Sequence, residues 1–173
     1  MNKEEILSNL KSNHEAFINC IESLTETQFN FTPDGKWNAG QTLDHLNRAV
    51  STLSLAMRLP KSVFSLLYGK ANRQSKTYDE LVAKYQQKIA EGGKAHGRYL
   101  PTKVSFHNQQ KTIVALRKSV NRISKNIEWY SETRLDTYIL PHPLLGKLTI
   151  REMMYFTMYH AEHHRKIVLR DLG

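Results

Sequence analysis

Apolar residues recur at three- and four-residue intervals through most of the chain, and nowhere do they alternate convincingly with a period of two. Ile6, Leu7, Leu10, Phe17, Ile18 and Ile21 share one helical face, together with His14 and Leu24, and predict a first helix over residues 3–24. Thr32-Pro-Asp-Gly-Lys36 breaks the pattern and reads as a turn. A second helix starts near Asn38, a favoured N-cap, with Gln41 placed to complete a capping box. Its stripe is Leu43, Leu46, Val50, Leu53 and Met57, and Pro60 lies just past its end.

From Lys61 to Ser105 the pattern loosens. Thr77-Tyr-Asp-Glu80 is a second capping-box sequence and predicts a helix over Tyr78–Ala90, stopped by Gly92-Gly93. The remainder, with Gly97, Pro101 and several lysines, reads as a long connection, of the kind that is functional or mobile inside a compact domain. A third long helix is predicted from about Phe106 to Tyr130 on the register of Ile113, Leu116, Val120, Ile123 and Ile127. Pro141–Gly146 reads as a loop, and Thr149-Ile-Arg-Glu152 opens a last helix over roughly Ile150–Leu169. Four long amphipathic helices without strands predict an all-α four-helix bundle, with an extra helical or loop insertion between its second and third helices. A length of 173 residues suits one domain spanning 1–173, within which 61–105 is the variable connection.

Composition agrees with a soluble globular chain, 40% hydrophobic and 24% charged. The longest uncharged apolar stretches, such as Met153–Tyr159, fall well short of the ~20 residues of a membrane span. The start reads as the first turn of a helix and not as a signal peptide. With a single cysteine, Cys20, no internal disulfide can form, which suits a cytoplasmic location, and Cys20 falls at the edge of an apolar face as a packed thiol. The net charge of +9 is concentrated between Arg58 and Lys125, where 15 Lys/Arg face only Asp79, Glu80 and Glu91. That segment suits a phosphate- or carboxylate-bearing ligand or a solvated lysine-rich surface. No nucleic-acid motif accompanies it, so nucleic acid is not the expected partner.

The chemistry lies in the histidines. His160 and His164, four residues apart, project from one face of the last helix, shared with Met153, Phe156, Thr157 and Val168. Imidazoles aimed into a core need polar partners, and a divalent metal satisfies two at once. A third ligand must come from another helix. His45 borders the stripe of the second helix beside Thr42, Ala49 and Thr52, whose small size leaves room for an ion; His14, squarely on the apolar face of the first helix, is the rival. Periodicity does not choose between them. His163 rotates to the edge of the stripe, either an ordinary edge histidine or an acid–base group. His96, His107 and His142 fall in or beside loops, where solvation is expected, with His142 within reach of a site mouth. Asp44 and Glu162 point away from the core faces, so a paired-carboxylate mechanism has little support. No P-loop, dinucleotide turn, CxxC pair or G-x-S-x-G elbow is present.

Three blocks carry a resemblance: Trp37-Asn-Ala-Gly-Gln-Thr-Leu-Asp-His45-Leu, His142-Pro-Leu-Leu-Gly-Lys-Leu-Thr-Ile-Arg-Glu152, and His160-Ala-Glu-His-His164. Together the sequence resembles the DinB-like superfamily, in particular its second subgroup. The resemblance implies a bundle of down-up-up-down connectivity and a divalent ion held by three histidines, matching His45, His160 and His164. It thereby selects His45 over His14. It also implies homodimers formed through bundle helices and, in characterised relatives, metal-dependent transfer of low-molecular-weight thiols such as bacillithiol or mycothiol to electrophiles. Residues 61–105 follow no family pattern and are expected to shape substrate choice.

The expected function is therefore a metal-dependent thiol transferase or hydrolase, with zinc, nickel or iron as suitable ions. The competing expectation is a non-catalytic binding or stress-related module with a basic surface and a structural or vestigial metal site.

Overall fold

A computed structural model of the chain describes residues 1–32 and 34–172, the side chain of Lys61 excepted; Pro33, within the predicted turn, lies outside the described residues, as does Gly173. The helices run in the order α1 (Lys3–Glu22), α2 (Glu26–Asn30), α3 (Ala39–Ala56), α4 (Lys61–Tyr68), α5 (Tyr78–Ala90), α6 (Gln109–Glu128), α7 (Glu132–Thr137) and α8 (Ile150–Leu172). The strands β1 (Ile139–His142) and β2 (Gly146–Thr149) lie between α7 and α8. Helix starts follow the sequence closely. Asn38 and Gln41 cap α3 reciprocally, at 2.8 and 3.2 Å, and Thr77 and Glu80 do the same for α5. The third long helix starts at Gln109, three residues later than predicted, because Phe106–Asn108 form a tighter 3₁₀ turn. α8 continues to Leu172, past the predicted end at Leu169.

The long helices α1, α3, α6 and α8 form the bundle, and contacts at their ends fix its topology. Gln109 at the start of α6 donates to the carbonyl of Ile21 at the end of α1, while the Lys3 ammonium reaches the Tyr130 carbonyl just past the other end of α6. α1 and α6 are therefore antiparallel. Lys36, just before α3, pairs with Asp171 near the end of α8, so α3 and α8 are antiparallel too. Arg151 at the start of α8 donates to the Met1 carbonyl, which makes α8 parallel to α1. The order is down-up-up-down, with α1 packed on α6 and α8, and α3 packed on the same two. Because α3 and α6 both run upward, the chain between them must return along the whole bundle. That return carries α4, α5 and the 3₁₀ turn Gly97–Tyr99, and α5 lies against α8.

A connected cluster of buried side chains fills the bundle, among them Leu10, Phe17, Leu46, Leu116, Ile123 and Met154. The short antiparallel hairpin β1–β2 corrects the expectation of a strand-free chain with a loop over Pro141–Gly146. Leu140 pairs with Leu148, and both are buried, as is Leu145 in the turn. Four-residue strands with a proline in one and burial confined to one end of each show no period-two signal. Gly146 closes the turn with φ +78°, a conformation open to glycine at little cost.

Glu152 fastens the return segment to the bundle. Its carboxylate, fully buried, completes the predicted capping box with Thr149 and also accepts two hydrogen bonds from Arg73, at 2.6 and 2.8 Å, and one from the Lys76 backbone N–H.

Candidate metal centre

The i,i+4 spacing on α8 places His160 and His164 on one face, and α3 brings His45 against them. One nitrogen from each of the three lies within 4.8 Å of the others, and all three residues are buried. The Nε2 atoms face each other, at 3.2 Å between His45 and His160 and 2.9 Å between His160 and His164. His14 lies outside this cluster. Its Nδ1 donates to the Leu10 carbonyl at 2.7 Å, and its Nε2 is buried without a partner.

The tautomer of His45 follows from its other nitrogen. Nδ1 is 2.7 Å from the carbonyl oxygen of Tyr99, an acceptor only, so Nδ1 carries the hydrogen and Nε2 presents a lone pair to the cluster. Burial lowers the pKa of His45, and drives those of His160 and His164 well below the ordinary imidazole value, so all three are neutral at pH 7. Closely spaced neutral nitrogens leave few protons to fill the gaps between them. Their spacing is that of nitrogens sharing one ion, which bind at about 2.0–2.1 Å. The donor set fits a divalent metal.

Surrounding groups hold the rings. Trp37 packs on His45 with centroids 4.9 Å apart, and Phe156 stacks on His160 at 4.8 Å. Asp44, expected on a solvated face, is instead buried. It accepts from the Thr102 backbone N–H and hydroxyl, at 2.7 and 3.0 Å, and from Arg48 at 2.7 Å. Thr102 lies 58 residues away, beyond the reach of helical periodicity. Consecutive residues of α3 thus both grip the return segment, His45 at Tyr99 and Asp44 at Thr102.

The three histidines lie in an open cavity of about 1450 Å³, bordered by α3, α5, α8, the hairpin and residues 93–100. His142, expected to be solvated, lines it. The His142 Nδ1 accepts from the backbone N–H groups of Leu144 and Leu145, both at 3.1 Å, which leaves its hydrogen on Nε2. Its ring packs on Phe156 at 4.2 Å, and burial, with Lys84 nearby, lowers its pKa to about 4. His163 also lines the cavity, against Tyr85 at 5.5 Å, and burial together with Arg170 lowers its pKa. Tyr85 was not singled out by its sequence, although the Leu81–Tyr85 spacing on α5 marks both as inward-facing. No Asp or Glu lines the cavity among the described residues.

Comparison with known proteins agrees with this geometry at the level of fold. The chain matches the family model of the DinB superfamily over residues 9–168. None of the curated proteins matches it. Among solved structures, YfiT from Bacillus subtilis, described as a probable metal-dependent hydrolase with an unusual four-helix bundle topology, superposes with a TM-score of 0.63 at 15% identity, covering 98% of this chain and 85% of its own. A conserved protein from Enterococcus faecalis gives 0.63 at 13% identity, covering 99% and 96% of the two chains. An uncharacterized protein from Clostridium difficile 630 gives 0.58 at 16% identity, covering 98% and 95%.

Proposed function

Because the chain belongs to the DinB superfamily, we propose that it is a metal-dependent enzyme whose His45, His160 and His164 hold one divalent ion in the cavity, with hydrolysis of a small molecule as its reaction. The observation that carries this reading is the convergence of three neutral Nε2 atoms on one point of a large cavity. Three imidazoles are a catalytic rather than a structural complement, because they leave a position for water or substrate. Zinc, nickel and iron all suit such ligands. Hydrolysis is supported by the description of YfiT as a probable metal-dependent hydrolase; thiol transfer is the alternative within the same site. The chemistry that the ion supplies when bound is Lewis acidity, by which water or a thiol loses its proton near neutral pH.

The protein's own groups define the rest. The Tyr99 carbonyl orients His45, as outer hydrogen-bond partners of metal-binding imidazoles do. His142 offers Nε2–H as a neutral hydrogen-bond donor to substrate. His163, neutral at pH 7, is placed to accept a proton at a ring nitrogen. With no carboxylate lining the cavity among the described residues, His163 is our proposed general base. A homodimer built through bundle helices is part of the same proposal, and sedimentation velocity tests it.

Elemental analysis after native purification tests the metal centre. One equivalent of transition metal per chain is expected, lost in His160→Ala and kept in His14→Ala. Metal-dependent turnover in a panel of esters, amides and thiol–electrophile pairs tests the reaction. Absence of metal from the protein overturns the reading.

A further inference from the structure

We propose that the cavity takes an elongated amphiphilic anion, with its acidic group held at the mouth and its apolar body directed toward the three histidines. The proposal rests on the preceding reading only in placing the reacting end of the ligand at those histidines.

Size is the first observation. At about 1450 Å³ the cavity exceeds the ~300–1,000 Å³ usual for small-molecule sites and is roomy for a short polar thiol or a simple ester. Its walls are the second. Val50 and Leu53 of α3, Leu140 of β1 and Leu144 of the hairpin turn supply aliphatic surface from two sides. Leu55, Ile89 and Leu100 line it as well, and they are 63%, 37% and 50% exposed. Three elements thus converge large apolar side chains on one opening, where water wets them at a cost of about 25 cal/mol per Å² that a ligand would recover.

Charge is the third and selects the sign of the polar end. The cations in the cavity wall are Lys36, Arg58, Lys94 and Arg98, with no Asp or Glu among the described lining residues. Lys36 is ion-paired with Asp171. Arg58, Lys94 and Arg98 are exposed and have no ion-pair partner among the described residues. They come from two places, the stretch just past α3 and the segment after α5, and all three line the same cavity. Guanidinium groups match carboxylate and phosphate with two parallel hydrogen bonds. A cationic ligand would meet like charge at Arg58, Lys94 and Arg98.

The placement separates the anion from the metal. The cations are exposed while His45, His160 and His164 are buried, so the acidic group binds at the mouth without ligating the ion.

Titration calorimetry with dodecanoate, below its micelle concentration, tests this against two controls: butanoate, which shares the head, and dodecyltrimethylammonium, which shares the tail. Saturable 1:1 binding of dodecanoate is expected, at least tenfold tighter than either control, in both metal-loaded and metal-stripped protein. Arg58→Ala with Arg98→Ala should weaken it tenfold or more without changing metal content. Equal binding of butanoate, equal binding of the ammonium, no effect of the arginine variants, a strict requirement for metal, or no binding at all each overturns the proposal. Metal content measured on the same samples keeps the two readings apart. Metal without dodecanoate binding removes only this inference; dodecanoate binding to a chain that never holds metal removes only the metal centre.

Discussion

The His45 imidazole donates from Nδ1 to the main-chain carbonyl of Tyr99 across 2.7 Å, joining a bundle helix to a residue 54 positions further along the chain. This one bond makes the return segment part of the histidine cluster, because it sets both the rotation of the ring and the nitrogen that keeps its lone pair.

Disturbing that carbonyl should be felt at the metal. Gly97 opens the 3₁₀ turn bearing Tyr99 with φ +57°, and a side chain there forces the left-handed conformation at about 1–2 kcal/mol or shifts the turn. Gly97→Ala is expected to lower metal affinity about tenfold, the scale of an outer-partner defect. Competition with a chelator measures it. Unchanged affinity in a variant that has lost stability would show that the carbonyl does not orient the ring.

Metal retention should respond to acid in a particular range. Ligating imidazoles must be neutral, and burial lowers the pKa of His45 and, further, those of His160 and His164. Protons therefore compete only below the pH where ordinary imidazoles titrate, about 6.5. Affinity measured from pH 8 downward should stay nearly level through 6.5, where ordinary imidazoles already take up protons, and fall only at lower pH. A decline already under way at pH 6.5 would contradict the burial of the cluster.

His14 should be a liability that can be removed. Burial lowers its pKa to about 4, against about 6.5 in an unfolded chain. Between these values the unfolded state takes up the extra proton, so stability falls as pH drops from 6.5 toward 4. His14→Leu also eliminates the unpartnered Nε2. The variant should be at least as stable as the parent at pH 7, with an advantage growing to about 3 kcal/mol by pH 4. Urea unfolding across this range checks it, and a pH-independent difference would refute the assignment.

Glu152→Gln should loosen the return segment. The carboxylate is buried and, although burial raises its pKa, Arg73 and the Lys76 and Thr149 N–H groups hold it below the usual range. Its contribution is present above the carboxylate range and lost as pH falls through it. Arg73 is 38% exposed, so a loss of about 2 kcal/mol is expected, smaller than for a fully buried pair. Amide exchange should accelerate in residues 70–77 while the centre of α6 stays protected. Uniform acceleration would mean that Glu152 supports the bundle as a whole.

Much of the fold could be read from periodicity and caps, since those signals act over four residues or fewer. Asn38–Gln41, Thr77–Glu80 and Thr149–Glu152 all cap the helices they announce. His160 and His164 were placed together by spacing alone, whereas His45 rose above His14 only through the family resemblance. The hairpin escaped because its strands are four residues long and gain their burial from α8 beneath them. His142 and Asp44 escaped for a related reason: Phe156 packs on one and Thr102 bonds the other, and neither contact leaves a trace in the local sequence.

The packing of α1 on α6 and α8, rather than on α3, has a consequence for how the chain folds. During synthesis α1 has no lasting partner until residues from Gln109 onward have been made. Pairings this far apart in sequence raise the contact order above that of a simple up-down bundle, and slower folding is the cost. The three-histidine cluster, which needs α8, therefore assembles among the last events, after most of the protein has already been built.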